Sequence, residues 1–213
     1  MVGAIDREQL ERRVLDDMDA GSWERAVVGT IDGYGPEIVR YLHTLLRDPV
    51  MVDDAFSLFC ESVWRGLPRF RRESTLRVWC YALARHARSA ALRAGRRGGE
   101  VLGISEIESV RIAAANVRTR TAEYLRTGAR ARIEQLRARL DPEDQMLLVL
   151  RITRRFEWKD IARALADVDE PLDDATLARR ATALRKRYQR VKDELRAAAR
   201  AQPDDDVSTR SFD

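Results

Sequence analysis

Residues 67–93 read LPRFRRESTLRVWCYALARHARSAALR, and the interpretation of the whole chain starts from them. A basic turn comes first, and the spacing predicts a helix that begins at about Ser74. One face of that helix is an apolar stripe with steps of three and four residues, made of Leu76, Trp79, Leu83 and Ala87. A neighbouring face has the same spacing and carries Arg77, Tyr81, Arg85 and Arg88. One side of the helix can therefore pack on a core while the other offers cations and an aromatic ring to a polyanion. A nucleic acid fits this pattern better than a membrane or a small substrate.

Length and composition predict a soluble all-α protein with two modest helical domains or one large one. The chain has 213 residues, of which 35% are charged, and it contains few proline or glycine residues. It has no run of eighteen apolar residues that would predict a membrane span. The polar N-terminal sequence lacks the basic start and apolar core of a secretory signal. We therefore expect a cytoplasmic protein with no membrane partner.

The net charge of +4 conceals two basic blocks with acidic ends. Residues 65–97 contain ten arginines and one acid, and residues 176–200 contain nine basic residues and two acids. The first 25 residues and the last eleven each carry a net charge of −3. Basic residues often do no more than solubilise a helix surface. Two separated blocks in helical context favour two contacts with one polyanion.

Enzymatic and metal chemistry are not predicted. Cys60 and Cys80 form no motif, and His43 and His86 are the only histidines, so no zinc-like cluster of ligands is expected. The sequence offers no paired carboxylates in an apolar setting and no nucleophile with a base. Gly95–Gly99 lacks the strand and the lysine that a phosphate-binding loop needs. We expect no cofactor.

Glycine, proline and charge divide the chain into five parts. Gly33 and Gly35 are predicted to interrupt the helical pattern, so that a new helix begins at Pro36. The segment after Gly95–Gly99 has sparse apolar residues and is expected to be a connector that docks only at 133–140. The predicted parts are an N-terminal extension (1–27), a first helical domain (28–95), a linker (96–140), a second helical domain (141–200) and a disordered acidic tail (201–213).

The second domain has the pattern of a helix-turn-helix unit. Asp141-Pro142 predicts a capped helix start, a short helix is predicted from Glu157 to Ala166, and a long basic helix is predicted from about Ala175 to Arg200. A long basic helix in last position would enter the major groove of DNA.

Two stretches together resemble a known family. DDAFSLFCESVWRGLPRFRRESTLRVWCYALARHARSAALR, from Asp53, is similar to region two of the sigma-70 family of bacterial RNA polymerase sigma factors. LDPEDQMLLVLRITRRFEWKDIARALA, from Leu140, and TLARRATALRKRYQRVKDELR, from Thr176, are similar to region four. The order of the two regions, with a hinged linker between them, resembles the extracytoplasmic-function (ECF) type over about residues 30–200.

The resemblance implies a specificity subunit that is not itself an enzyme. Its partners would be promoter DNA and core RNA polymerase, through the clamp of the largest subunit and the flap of the second-largest subunit. The residues implied to bind core polymerase are Asp53, Asp54, Glu61 and Trp64. Those implied to capture the melted minus-ten element are Phe70, Arg71, Arg72, Ser74, Arg77, Tyr81, Arg85, His86 and Arg88. Those implied to read the minus-thirty-five element are Thr176, Arg179, Arg180, Arg185 and Lys186. Phe56, Phe59 and Trp79 are expected to be core.

The sequence departs from the family's pattern at three places and leaves two questions open. His86 stands where many members have Asn, Ala90 stands where they often have Asp, and the turn at 167–174 is longer than usual. An anti-sigma partner is an open question. The alternative function is a stand-alone helix-turn-helix regulator that binds duplex DNA as a dimer. The aromatic and basic loop at Phe70 argues against it, because a dimerisation domain has no use for a loop that captures a single strand.

Overall fold

The computed structural model describes residues 6–96, 107–126, 140–167 and 170–201. Every regular element in these ranges is helical, which confirms the predicted all-α class. No helix among them is long and apolar enough to cross a bilayer. The helices are α1 (Arg7–Asp19), α2 (Trp23–Leu46), α3 (Pro49–Gly66), α4 (Leu76–Arg96), α5 (Glu108–Arg126), α6 (Pro142–Leu148), α7 (Trp158–Ala164) and α8 (Asp174–Ala201). A 3₁₀ turn (Leu67–Arg69) follows α3, and a π-helical turn (Val149–Thr153) follows α6.

Helix α1 folds back along α2. The Asp6 carboxylate caps α1 by accepting hydrogen bonds from the backbone N–H groups of Glu8 and Gln9, at 3.1 and 3.3 Å. The turn between the helices uses Gly21 at φ 69°, a conformation that glycine adopts without strain. Three buried side chains spaced four residues apart, Leu10, Val14 and Met18, attach α1 to α2.

The predicted break at Gly33 and Gly35 is wrong, because α2 runs without interruption from Trp23 to Leu46. The two glycines are points of close helix packing. A Cβ at Gly33 would lie 2.4 Å from Cδ2 of Leu10, and a Cβ at Gly35 would lie 2.9 Å from Cγ2 of Val117. Both distances are far below a normal carbon–carbon contact, so only glycine lets α1 and α5 approach α2 this closely.

Pro36 lies inside α2 and does not begin a new helix. Proline has no N–H group, so the carbonyl of Asp32, four residues earlier, loses its usual helical donor. Arg120 of α5 compensates, because its Nη2 donates to that carbonyl at 3.3 Å and to the Asp32 carboxylate at 3.1 Å. A tertiary contact thus allows proline in the interior of the helix.

Helices α3 and α4 complete the first bundle. The Asp48 carboxylate caps α3 through the Val50 N–H at 3.0 Å, with Pro49 in the first turn. Phe56 and Phe59 are fully buried and stack with centroids 5.8 Å apart, so their predicted place in the core is confirmed. Trp79 is also buried, as predicted.

The described part of the linker is wrongly predicted as an undocked connector. Helix α5 packs on α2 and buries Val110, Ala113, Ala114 and Val117. Ile112, a larger apolar residue of α5, is 51% exposed. The docking surface consists mainly of small residues, which a search for large apolar side chains overlooks. The segment 133–140, where docking is predicted, lies outside the described residues except for Leu140.

The C-terminal helices form a second unit, and this unit packs on the first. Asp141 caps α6 through the Glu143 N–H at 2.8 Å, as predicted. Ile161 of α7 and Leu177 of α8 are buried within the unit. Helix α7 lies against α4, and Phe156, just before α7, belongs to the same apolar cluster as the first bundle. The two predicted helical units are therefore in direct contact.

Candidate nucleic-acid interface

The loop between α3 and α4 presents an aromatic pair beside a cavity. Phe70 follows the 3₁₀ turn and lies with its ring centroid 5.2 Å from that of Trp79. The Thr75 hydroxyl caps α4 by accepting from the Val78 N–H at 3.2 Å. A cavity of about 350 Å³ opens next to this pair, and Ser74 lines it. An aromatic surface at the mouth of a cavity, with arginines around it, is suited to hold an unstacked base.

Acids of the N-terminal helix face the basic loop. Arg72, at φ 56°, forms an ion pair with Asp19 at the end of α1. The hydrogen bond from Arg72 lowers the pKa of the Asp19 carboxyl below its ordinary value. Glu11 accepts from the Leu76 N–H at 2.8 Å, at the first residue of α4. Arg71 pairs with Glu73 within the loop. The predicted N-terminal extension (1–27) therefore contributes to this site through α1, and the sequence did not predict that contribution. The apolar stripe of α1 indicates that the helix packs on another element but does not indicate which one.

Arg77 is enclosed on three sides. Its Nε and Nη2 donate to the Glu37 carboxylate at 2.7 and 3.1 Å, and Nη1 donates to the Arg154 carbonyl at 3.3 Å. Its guanidinium lies 4.5 Å from the Phe156 ring centroid, within cation–π range. The side chain is only 13% exposed. Glu37 and Phe156 are not among the predicted site residues.

Tyr81 does not face solvent. Its ring lies edge-on to Tyr41 and to Phe156, with both centroid separations 5.0 Å. The residue is 1% exposed, and its hydroxyl is buried without a hydrogen-bond partner among the described residues. Burial raises the pKa of the phenol far above its ordinary value. The sequence places the Tyr81 ring on the face of α4 expected to meet a polyanion, but in the structure this ring contacts Phe156 of the C-terminal unit.

Arg85 and His86 also face the C-terminal unit. Nη2 of Arg85 donates to the Ala166 carbonyl at 2.7 Å and to the Asp167 carboxylate at 3.1 Å, and lies 2.8 Å from Nε2 of His86. Burial, then the nearby charges of Arg85 and Arg93, lower the pKa of His86 below its ordinary value, against the opposing effect of Asp167 and the Ala166 backbone.

Arg88 is half-buried one helical turn further along α4. Its Nε is buried and has no hydrogen-bond partner in the part of the chain that the structure describes, and desolvation lowers the pKa of its guanidinium. The predicted minus-ten residues therefore fall into two groups. Phe70, Arg71, Arg72 and Ser74 lie at the loop, whereas Arg77, Tyr81, Arg85, His86 and Arg88 lie along the helix.

The acids predicted to contact polymerase lie on α3. Asp53 forms an ion pair with Arg118 of α5, and Nη2 of Arg118 also donates to the Ser57 hydroxyl at 2.7 Å. Burial, then the charge of neighbouring Asp53, raise the pKa of Asp54 above its ordinary value. Glu61 pairs with Arg65 at 2.6 Å. Trp64 is partly buried against the core. The contact with α5 is not predicted by the sequence.

The predicted minus-thirty-five residues lie on the first four turns of α8. Arg179, Arg185 and Lys186 are exposed, and Thr176 accepts a hydrogen bond from Arg179 at 2.9 Å. Arg180 instead pairs with Glu170 of the preceding turn, with Nη1 and Oε2 3.0 Å apart. Arg185 is also 5.7 Å from the centroid of the Trp158 ring. The long turn at 167–174 thus pairs with Arg180, one of the five predicted residues. It leaves Arg179, Arg185 and Lys186 exposed.

The comparison with known families bears on the first bundle. Residues 30–98 match the family model of sigma-70 region 2. This part of the chain is therefore similar to region 2 of the sigma-70 family. It spans α2 from Thr30 onward, all of α3, the aromatic loop and α4, which is the part that carries the aromatic pair and the basic helix. The searches of curated proteins and of solved structures returned no match.

Proposed function

We propose that the chain is an RNA polymerase sigma factor of the ECF type, which binds core polymerase, directs it to specific promoters and helps to open the DNA. The observation that carries this proposal is the Phe70–Trp79 pair beside a cavity at the start of a basic helix, within the region 2 match. Opening a duplex costs unstacking energy, and a pocket that holds an extruded base offsets part of that cost.

In this proposal the loop and α4 capture the non-template strand of the minus-ten element. Phe70 would stack against an extruded base, Ser74 would line its pocket, and Arg71 and Arg72 would neutralise adjacent phosphates. Arg77, Tyr81, Arg85, His86 and Arg88 would continue the contact along α4.

Core polymerase would be gripped by the acidic side of α3. Asp53, Asp54 and Glu61 lie at spacings that bring them to one side of the helix, with Trp64 one turn beyond. The clamp of the largest subunit would supply the complementary cations. Because Arg118 neutralises Asp53 in the free chain, polymerase binding would displace or remodel that ion pair.

The C-terminal unit would serve as region four and would read the minus-thirty-five element. The exposed Arg179, Arg185 and Lys186 are placed on one long helix that could enter a major groove, and the flap of the second-largest subunit would hold the unit in place. Arg180, which Glu170 holds, would contribute after that pair opens.

Transcription from purified components tests the proposal. Core polymerase and the protein are combined with fragments of the host genome, transcripts are mapped, and permanganate reports unpaired thymines. We expect specific start sites with an open minus-ten region only when the protein is present. Phe70→Ala should reduce opening at those sites while core polymerase still co-purifies with the protein. Trp23→Ala, at an exposed aromatic residue of α2 outside the predicted DNA-binding set, is the matched control.

Transcripts that are the same with and without the protein would contradict the proposal. If the protein alone also bound palindromic duplex DNA as a dimer, the stand-alone regulator would be the better account.

A further inference from the structure

We propose that the free chain adopts a closed state in which its own C-terminal unit occupies the single-strand-binding face of α4 and excludes DNA. The proposal rests on the proposed function, because it concerns the regulation of the same surface. The closed state is defined by the contacts of Phe156, Arg163, Ala166 and Asp167 with α4 and the loop before it.

Phe156 is the apolar centre of this contact. It is 4% exposed, although it follows a run of polar residues, and it fills the space between Tyr81 and Arg77. The π-helical turn and Arg155, at φ 57°, redirect the backbone after α6 so that this ring points into the first bundle. The Phe156 N–H donates to the Leu150 carbonyl at 3.1 Å, which holds the turn in place.

Polar contacts surround Phe156, and they occupy hydrogen-bonding groups that would otherwise be available to a DNA strand. Arg85 donates to the Asp167 carboxylate and the Ala166 carbonyl, which occupy the position that phosphate oxygens would take. Arg163 donates to the Glu73 carbonyl in the basic loop. Tyr81 is covered completely.

The cavity beside the aromatic loop also lies between the first bundle and the C-terminal unit. Phe70 and Trp79 form one side of it, and Arg163, Asp167 and Leu172 of the C-terminal unit form the other. A base could enter the cavity, but the strand that continues along α4 would meet α7. The unit must therefore move before a strand can follow the helix.

The contacts that define the closed state can open without unfolding the first bundle. The Arg77–Glu37 pair lies within that bundle and survives when the C-terminal unit departs. The departure exposes Arg85, Tyr81 and the Phe70–Trp79 side of the cavity. When only a fraction of molecules is open, the apparent affinity for a strand falls by that fraction.

A reversible crosslink between the two units tests this inference on the full chain. Glu73→Cys and Arg163→Cys place one thiol on each side of the interface; because both residues also line the cavity, the same variant labelled with a monofunctional methanethiosulfonate controls for direct blocking of the cavity. A short bis-methanethiosulfonate reagent joins them, and a reductant releases them. The native Cys60 and Cys80 do not compete, because both are fully buried and burial raises the pKa of Cys60 to about 12. Asp193→Cys with Arg196→Cys, an exposed pair within α8, is the matched control crosslink.

The readouts are the binding of a fluorescein-labelled random-sequence single-stranded oligonucleotide and promoter opening with core polymerase. We expect the locked protein to bind the oligonucleotide at least ~tenfold more weakly than the same sample after reduction, and to fail in promoter opening. The α8 crosslink should change neither readout. Phe156→Ala should bind more tightly than wild type, whereas Ile152→Ala, at a half-exposed position four residues earlier, should not.

Equal binding by the locked and reduced protein would overturn the closed state and leave the proposed function intact. If neither the locked nor the reduced protein bound the oligonucleotide or opened promoters, the proposed function and the closed state would both be overturned.

Discussion

Gly35→Ala is expected to disturb the docking of α5 on α2. The added Cβ would lie 2.9 and 3.1 Å from the two methyl carbons of Val117 and 3.4 Å from Cζ of Phe56. Carbon atoms in contact prefer a separation of about 3.5–4.0 Å, so α5 must retreat by ~0.6 Å or more. Val117 cannot rotate away easily, because a β-branched side chain in a helix has one strongly preferred rotamer.

Two opposing terms set the size of the effect. Overpacking of a filled core costs about 1–3 kcal/mol, whereas replacing glycine by alanine inside a helix gains about 1 kcal/mol. We therefore expect Gly35→Ala to lower the free energy of unfolding by about 1 kcal/mol. The matched control is Gly29→Ala in the same helix, where the added Cβ meets only Cγ2 of Val14 at an ordinary 3.4 Å. Gly29→Ala should raise the free energy of unfolding by about 0.5–1 kcal/mol.

A double-mutant cycle with Val117→Ala isolates the contact. Urea unfolding followed by circular dichroism gives the free energy of unfolding for the wild type, both single variants and the double variant. In the wild type, Val117→Ala should cost about 2 kcal/mol, because it removes two buried methyl groups. In the Gly35→Ala background it should cost clearly less, since the new methyl group fills the vacated space. The coupling should be about 1–2 kcal/mol.

Additive effects of Gly35→Ala and Val117→Ala would refute the reasoning, as would equal effects of Gly35→Ala and Gly29→Ala. Either result would mean that Gly35 is not held against α5.

Three further predictions concern buried hydroxyls, pH and the α5 ion pair. Tyr81→Phe and Tyr34→Phe should each raise the free energy of unfolding by about 1 kcal/mol, because no described residue hydrogen-bonds to either buried hydroxyl; a loss of stability in urea unfolding would show that the hydroxyl is satisfied. The folded chain lowers the pKa of His86, chiefly by burial, so its contribution to the free energy of unfolding is complete above the ordinary value of ~6.5 and is lost as pH falls toward the lowered value. Urea unfolding of the wild type should therefore give a lower free energy of unfolding as pH drops through this range, and His86→Gln should reduce that loss; an unchanged pH profile in His86→Gln would exclude His86 as the cause. Arg118→Ala should lower the free energy of unfolding by less than ~1 kcal/mol, since its partner Asp53 is 59% exposed, and should strengthen core polymerase binding in a titration; weaker binding would show that Arg118 assists the grip.

The elements with strong local signals could be predicted from the sequence. The cap at Asp141 falls at a true helix start, and the apolar stripe that includes Leu76 and Trp79 is buried. These features depend on residues near each other in the chain, so periodicity and cap chemistry are enough to find them.

The features that depend on distant partners could not be predicted in this way. Gly35 has the local pattern of a helix breaker, because the contact with Val117 that explains the glycine lies 82 positions away in the chain. Pro36 has the local pattern of a helix start, because nothing near it in the sequence reveals that Arg120 supplies the missing donor. In both cases a tertiary contact overrides the local preference.

The residue types of the candidate site could be predicted from the sequence, but the residues that contact them could not. The basic face of α4 and the aromatic loop follow from spacing and charge. Nothing in a helical pattern shows that Phe156 would cover Tyr81 or that Glu37 would hold Arg77, because both contacts join elements of different parts of the chain.

Co-purification with bacterial core RNA polymerase tests the central claim most directly. The wild type is compared with Asp53→Lys/Asp54→Lys and with Asp193→Lys/Glu194→Lys, an exposed acidic pair on α8 that serves as the matched charge control. We expect stoichiometric association of the wild type and of the α8 variant, and loss of association in the α3 variant. Failure of the wild type to associate with core polymerase would contradict the sigma-factor account. Undiminished association of the α3 variant would contradict the proposed grip.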